Sequence, residues 1–134
     1  TQKCLYLGIK MLKPGVMLGD IGYNISKHDN AIWFSVVRKY CGHGVGESMQ
    51  EERSVLHYRH PDTGYELEPE IIFTIEPKIN ADKREVRLLP DQWTVVTKDR
   101  SLSAQWEHTI LVTETGYDIL TYREEEQDKI AKVG

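Results

Sequence analysis

The sequence is poor in cysteine and has no long uncharged apolar segment. Its 134 residues include only two cysteines, Cys4 and Cys41, which form no C-x-x-C motif. This argues against a disulfide framework and against a cysteine-rich zinc site. No apolar run approaches the roughly 20 residues that a membrane-spanning helix needs, and no charged and then apolar leader opens the chain. We therefore expect a cytoplasmic protein from a reducing compartment.

A strong charge of one sign is also lacking. The chain has 17 Lys and Arg residues against 21 Asp and Glu residues, which gives a net charge of −4. This balance argues against the electrostatic capture of nucleic acid or of an anionic membrane as the main task. The hydrophobic fraction of 40% is that of an ordinary globular protein and excludes wholesale disorder.

The length predicts one domain, residues 1–134, or one piece of a larger domain. The first residue is Thr1 rather than Met, which predicts that the chain was processed, proteolysed or truncated. The last segment, residues 124–134, is charged and weakly apolar. We expect this segment to be a frayed or solvated tail.

Helical patterns fill the first third of the chain, and strand patterns follow. Apolar residues crowd one side of a short helix that Pro14 and Gly15 end, and a second helix begins near Asp20 and continues to Trp33. The predicted strands are residues 35–40, 54–57, 71–75, 85–89, 93–97, 104–113 and 117–121. Two helices followed by strands predict an α+β fold with an antiparallel sheet.

One segment combines a histidine with unusual backbone. In residues 40–46, glycines on both sides of His43 allow a sharp turn and the close approach of a ligand. From this segment alone, a glycine-rich turn with an incidental histidine remains an alternative to a ligand site. The spacing does not match a dinucleotide fingerprint, and no Lys-Ser/Thr pair follows, which disfavours a phosphate-binding loop.

Two further segments each carry a glutamate on a predicted strand. In residues 73–77, Glu76 alternates away from the apolar positions. In residues 103–112, the period of two puts His108 on the apolar face and Glu107 on the opposite face. In isolation, each glutamate indicates a solvated residue of a sheet, and His108 indicates a hydrogen-bonded core histidine.

Taken together, these segments weaken the interpretation as solvated side chains and raise a second one. His43, Glu76 and Glu107 can converge on one face of an antiparallel sheet, because each lies at the end or in the middle of a strand. One imidazole and two carboxylates suit Mn, Fe, Co or Zn, and a carboxylate can bridge two ions. The residues alone leave a metal site and solvated side chains open as alternatives.

The same segments closely resemble the type I methionine aminopeptidases. The resemblance runs from Cys4 to about Thr121, and several motifs occur in the same order as in that family. These motifs are residues 12–15, 18–22, 40–46, 55–58, 73–77 and 99–109.

The resemblance implies the C-terminal half of a pita-bread fold around a dinuclear metal site. It implies that His43, Glu76 and Glu107 are metal ligands, with Glu107 bridging two ions. Glu76 and His43 would be the catalytic residues, and Glu76 would handle the proton of the attacking water. Trp93 and Cys41 would contribute to substrate binding. Members of the family remove the initiator methionine from new polypeptides, so the implied partner is a peptide N-terminus that begins with Met.

The chain also departs from the family pattern. Family members have an upstream half that supplies two aspartate ligands and a further histidine, and nothing in this sequence replaces them. Gln50 stands where the family has a histidine that contacts the scissile peptide, and an amide cannot shuttle a proton near neutral pH. Lys78 follows Pro77 where the family usually has an apolar residue, which brings a positive charge close to the cation site. We therefore predict a truncated, inactive or much weakened enzyme that holds at most one ion weakly.

These departures leave an alternative open, a pseudoenzyme that recognises peptide N-termini or the ribosome without turnover. The resemblance also implies that the absent half leaves a sheet face uncovered, with exposed edges at residues 71–75 and 104–113. A second copy of the chain could take the place of that half, so we predict a possible homodimer.

Overall fold

Two helices form the first part of the chain, as the sequence predicts. The structure, a computed structural model, describes residues 1–39, 41–47, 51–57 and 60–132, with the backbone alone described at 51–54. Helix α1 spans Gln2–Ile9 and helix α2 spans Leu18–Ala31. Helix α2 ends before Trp33, contrary to the prediction, because Trp33 adopts a left-handed φ of 64° that no helix can continue.

The rest of the chain forms antiparallel sheets, with ten strands within the described residues. The strands are β1 (Ser35–Val36), β2 (Gly42–Gly44), β3 (Glu51–Val55), β4 (Ile72–Ile75), β5 (Lys78–Asn80), β6 (Val86–Leu88), β7 (Val95–Thr97), β8 (Ser103–Gln105), β9 (His108–Val112) and β10 (Tyr117–Ile119). The largest sheet has the order β10-β9-β4-β2-β3, a second has the order β1-β5-β8, and β6 pairs with β7. The predicted α+β class is confirmed.

One antiparallel ladder joins the two larger sheets. Strand β4 pairs with β9, and β5, which follows β4 closely, pairs with β8, which precedes β9. At the facing ends of these two pairings, Ile75 lies opposite His108 and Lys78 lies opposite Gln105. The register is the same on both sides of the interruption, so the ladder is interrupted there without a slip.

The interruption of this ladder contains two acidic residues. Continuing the register through it brings Glu76 opposite Glu107. The backbone N–H of Trp106 donates to the carbonyl oxygen of Pro77 at 3.4 Å and holds the two chains together. The prediction of a single strand at 104–113 is therefore wrong. The ladder breaks here because Pro77 has no N–H to donate.

Strand β2 and the sheet edges also differ from the predictions. Strand β2 occupies Gly42–Gly44, where the sequence predicts a turn. Strands β4 and β9 are interior strands of the five-stranded sheet, so they expose no edge. In the part of the chain described, the segment 104–113 has an edge only through β8, at the side of the second sheet.

The tail of the described chain is folded, which contradicts the expectation of a frayed end. A 3-10 turn spans Glu124–Glu126, and a short helix, α3, spans Gln127–Lys132. Most of these side chains are exposed, but Glu126 is completely buried. The charged composition predicted a solvated segment. Composition alone could not reveal that the Glu126 carboxylate finds hydrogen-bond donors within the fold.

Helices α1 and α2 pack on the five-stranded sheet and form one core with it. In β9, His108, Ile110 and Val112 are buried and alternate with half-buried residues, as the period of two predicts. The core residues of the helices are Cys4, Leu5, Tyr6, Ile9, Leu18, Ile21 and Ile25. Within the ranges described, no helix is long and apolar enough to cross a membrane.

Candidate metal centre

Three side chains meet where the central ladder is interrupted. Glu76 directly follows β4, Glu107 directly precedes β9, and His43 is the middle residue of β2, the neighbour of β4. One imidazole nitrogen and one oxygen from each carboxylate all lie within 4.8 Å of one another. The convergence predicted from the three separate segments is therefore present.

The glycine before His43 lets β2 approach β4 closely. A Cβ atom at Gly42 would overlap the carbonyl oxygen of Thr74, so a larger residue cannot occupy this position without a shift of the backbone. The Thr74 hydroxyl accepts the backbone N–H of His43 at 2.9 Å and donates to Glu76 Oε1 at 3.1 Å. Thr74 thereby fixes His43 and Glu76 relative to each other.

The hydrogen bond of the His43 ring determines which nitrogen can bind a metal. Its Nδ1 lies 2.9 Å from the carbonyl oxygen of Gly44, which can only accept, so Nδ1 carries the proton. The other nitrogen, Nε2, then has a lone pair and lies 3.7 Å from Glu76 Oε1. Two acceptors that face each other repel unless a cation or a proton lies between them. The arrangement therefore fits a divalent cation.

Glu76 is buried, with 8% of its surface exposed, which excludes the alternative of a solvated glutamate. Its Oε2 accepts from Gln105 Nε2 at 3.0 Å and pairs with Lys78 Nζ at 3.3 Å. Its backbone N–H donates to His57 Nε2 at 3.1 Å. The carboxylate is held from both sides, so its orientation is fixed before any ligand binds.

His57 supports this site, although the sequence analysis did not single it out. Burial lowers the pKa of His57 to about 3, and the positive charge of Lys78 acts in the same direction. The ring is therefore neutral and can accept the N–H of Glu76. No local signal identifies this role, because it depends on a contact between residues 19 positions apart.

Glu107 is the more exposed of the two carboxylates. Partial burial raises its pKa, and the negative charge of Glu76 raises it further, whereas His43 and Lys78 lower it. Two carboxylates at close range repel each other, and a divalent cation removes that repulsion. The donor set of one imidazole and two carboxylates therefore suits Mn, Fe, Co or Zn, as the residue types predict.

The comparisons with known proteins agree with this chemistry. The sequence profile described as metallopeptidase family M24 matches residues 1–114. The chain belongs to family M24. It is 56% identical over 126 residues to a methionine aminopeptidase of Salmonella typhimurium and 55% identical to one of Escherichia coli. Each match covers 94% of this chain and 48% of the relative, so the chain spans about half the length of these relatives.

Solved structures support the same assignment. The methionine aminopeptidase of Rickettsia prowazekii matches with a TM-score of 0.89 and 45% identity over 91% of this chain and 50% of that chain. The enzyme of Thermotoga maritima matches with a TM-score of 0.89 and 41% identity over 92% of this chain and 49% of that chain. The resemblance to methionine aminopeptidases and the half of a pita-bread fold are therefore confirmed.

In this M24 chain, a polar cluster around the buried Glu126 contacts both sequence neighbours of Glu107. The Glu126 carboxylate accepts from the Tyr6 hydroxyl at 3.0 Å and from Trp106 Nε1 at 3.1 Å, and its Oε2 lies 3.3 Å from His108 Nε2. Trp106 and His108 flank Glu107 in the sequence, so the cluster fixes both neighbours of this proposed ligand. The charged composition of residues 124–134 predicts a frayed or solvated tail and does not indicate this role of Glu126.

The three residues predicted for substrate binding have different outcomes. Trp93 is 87% exposed and lines a cavity of about 630 Å³ together with Lys78 and Gln105, the two donors to Glu76 Oε2. Cys41 is half-buried and directly precedes β2, but it is not among the ligand atoms that meet at the candidate metal centre. Gln50 lies outside the described residues.

Proposed function

We propose that the chain forms the C-terminal half of the catalytic domain of a methionine aminopeptidase, an enzyme that removes the N-terminal methionine from nascent polypeptides, and that these 134 residues alone are inactive or much weakened. The observation that carries the proposal is the approach of His43, Glu76 and Glu107 ligand atoms to within 4.8 Å of one another. The match to methionine aminopeptidases over 94% of the chain supports the substrate class.

Each residue of the metal centre has its own role in the proposed reaction. A bound divalent cation would supply a Lewis acid and lower the pKa of water at the site. His43 Nε2, Glu76 and Glu107 would hold the cation. Glu76 would accept the proton of the attacking water, because Thr74 holds its Oε1 beside His43.

The cavity beside the centre is the proposed binding site for the peptide N-terminus. Trp93 gives it an exposed aromatic surface that suits a methionine side chain, and Lys78 and Gln105 connect it to Glu76. Cys41 and Gln50 are proposed to contact the substrate, as the resemblance to the family implies. Gln50 would do so as a hydrogen-bonding amide that cannot transfer a proton.

A pseudoenzyme that binds peptide N-termini or the ribosome is the second candidate. The observations that favour it are the amide at Gln50 and the ion pair between Lys78 and Glu76. Both reduce the catalytic capacity of the site without removing the cavity. A homodimer in which a second copy replaces the other half, and contact with the ribosome, stay predictions.

Metal titration tests the ligand set directly. We expect calorimetric titration with Mn²⁺ or Co²⁺ to detect at most one weakly held ion per chain, because three ligands leave coordination positions to water. His43→Ala should weaken this binding by about tenfold or more. His60→Ala is the matched control, since His60 is exposed and belongs to no part of the cluster. Two tight Mn²⁺ sites per chain would contradict the assignment of these three ligands. An equal loss of Mn²⁺ affinity in His43→Ala and His60→Ala would contradict it as well.

An activity assay tests whether these 134 residues catalyse the reaction on their own. We expect negligible release of methionine from Met-Ala peptides by the 134-residue chain, because the bridging aspartates that the family supplies are absent from it. Gln50→His should not restore turnover, since that change replaces only one contact, worth about 10²–10³ in rate by comparison with other polar donors. Robust release that Glu76→Ala abolishes, measured by amino-acid analysis, would refute this expectation.

A further inference from the structure

Lys78 shares one face of the interrupted ladder with both proposed carboxylate ligands. Residues two apart on a strand project to the same side, so Lys78 lies beside Glu76 and Gln105 lies beside Glu107. Across the ladder, Lys78 is opposite Gln105. The face thus carries two carboxylates, one ammonium group and one amide in a compact square.

The ammonium group of Lys78 is directed at one particular oxygen of this square. Lys78 Nζ lies 3.3 Å from Glu76 Oε2, and Gln105 Nε2 donates to the same oxygen at 3.0 Å. The other oxygen, Oε1, faces His43 and accepts from Thr74. The side chain of Lys78 is 26% exposed and that of Glu76 is 11% exposed, so water screens this pair less than a surface ion pair.

A divalent cation would experience this ammonium group in two ways. To bind both oxygens of Glu76, the cation would have to displace the Lys78 and Gln105 donors from Oε2. To bind Oε1 alone, it would have to stay close to an ammonium group of the same sign. Like charges at this distance raise the free energy of the bound state in either geometry.

We propose that Lys78 is a built-in counter-ion of Glu76 that competes with divalent cations and lowers the metal affinity of the centre. This inference rests on the proposed function, because it concerns the same metal centre. Lys78 acts on the metal through Glu76 and is a positioning residue, not a catalytic one. The resemblance to the family marks it as particular to this chain, since an apolar residue usually follows the proline there.

Replacing Lys78 tests the competition by metal binding alone. In calorimetric titrations of the full chain with Mn²⁺, Lys78→Met should bind the ion about tenfold more tightly or better, a change of about 1.4 kcal/mol. Lys78→Arg keeps the charge and should bind like the unchanged chain. Lys98→Met is the matched control, because it removes a charge from an exposed lysine outside the metal centre. It should leave the affinity unaltered.

The outcomes separate this inference from the proposed function. One outcome would overturn the role of Lys78 and leave the metal centre intact. In it, the unchanged chain binds Mn²⁺, His43→Ala removes this binding, and Lys78→Met binds the ion equally well or more weakly. No Mn²⁺ binding by either protein would overturn both. If Lys78→Met does not fold, as judged by circular dichroism, Lys78→Gln removes the charge and keeps a donor to Glu76. Lys78→Gln should then show the same increase in Mn²⁺ affinity that is expected of Lys78→Met.

Discussion

Replacing Glu126 by alanine is expected to lower the free energy of unfolding by about 3–5 kcal/mol. Glu126 is completely buried and is the common acceptor for Tyr6 and Trp106, while His108 approaches its second oxygen. Removing the carboxylate leaves the buried Tyr6 hydroxyl and the partly buried Trp106 N–H without this acceptor, and each lost partner costs about 1–3 kcal/mol. The Arg123 guanidinium, which also donates to Glu126, is half exposed and can turn to water.

Urea unfolding followed by circular dichroism measures this effect, and the neighbouring glutamate provides the control. Among the residues that the structure describes, Glu125 pairs with Arg123 alone, at 3.5 Å, and its side chain is 69% exposed. Glu125→Ala should therefore change the free energy of unfolding by less than about 1 kcal/mol. A Glu126→Ala protein as stable as the Glu125→Ala protein would show that the cluster does not stabilise the fold.

The contribution of Glu126 should also depend on pH. Burial raises the pKa of this carboxyl, but hydrogen bonds from Arg123, Tyr6 and Trp106 and the proximity of His108 outweigh it and lower the pKa from 4.5 to about 2. A carboxyl with a lowered pKa stabilises the folded state fully above its unfolded pKa and loses that contribution as the pH falls. The stability difference between the unchanged chain and Glu126→Ala should therefore shrink between pH 4.5 and about 2.

The secondary structure followed from the sequence where periodicity was strong. The two helices and the buried positions Ile110 and Val112 appear as predicted, because apolar spacing directly reports which face is buried. Strand β2 was not predicted, because Gly42 and Gly44 have low strand propensity. Gly42 enters the sheet through close contact with Thr74, and Gly44 pairs with Phe73, so both depend on residues distant in the chain.

The candidate centre could be predicted only in part, because several of the contacts that support it join residues far apart in the chain. His43, Glu76 and Glu107 are recognisable as ligand types, and the resemblance to a family joined them into one site. The support from His57 and Glu126 depends on long-range contacts of the folded chain, and neither residue has a local pattern that distinguishes it from an ordinary core or surface residue.

The contact between Gly42 and Thr74 leads to the second large effect. Gly42→Ala is expected to lower the free energy of unfolding by about 2–3 kcal/mol, because the added methyl group would overlap the Thr74 carbonyl oxygen and force β2 away from β4. The same shift moves the adjacent His43, so Mn²⁺ affinity should also fall by about tenfold or more. Urea unfolding measures the first change, and calorimetric titration measures the second.

A second glycine distinguishes steric overlap from the general effect of a glycine-to-alanine change. A Cβ atom at Gly116 would meet nothing within 4 Å, and its φ lies outside the left-handed region. Gly116→Ala should therefore stabilise the fold slightly, by about 0.4–1 kcal/mol, because alanine reduces the entropy of the unfolded chain. It should leave Mn²⁺ binding unchanged. Stability changes of opposite sign in the two variants are expected only if β2 packs closely on β4. A loss of Mn²⁺ affinity in Gly42→Ala alone is expected only if that packing positions His43. A Gly42→Ala protein with the stability and affinity of Gly116→Ala would rule that explanation out.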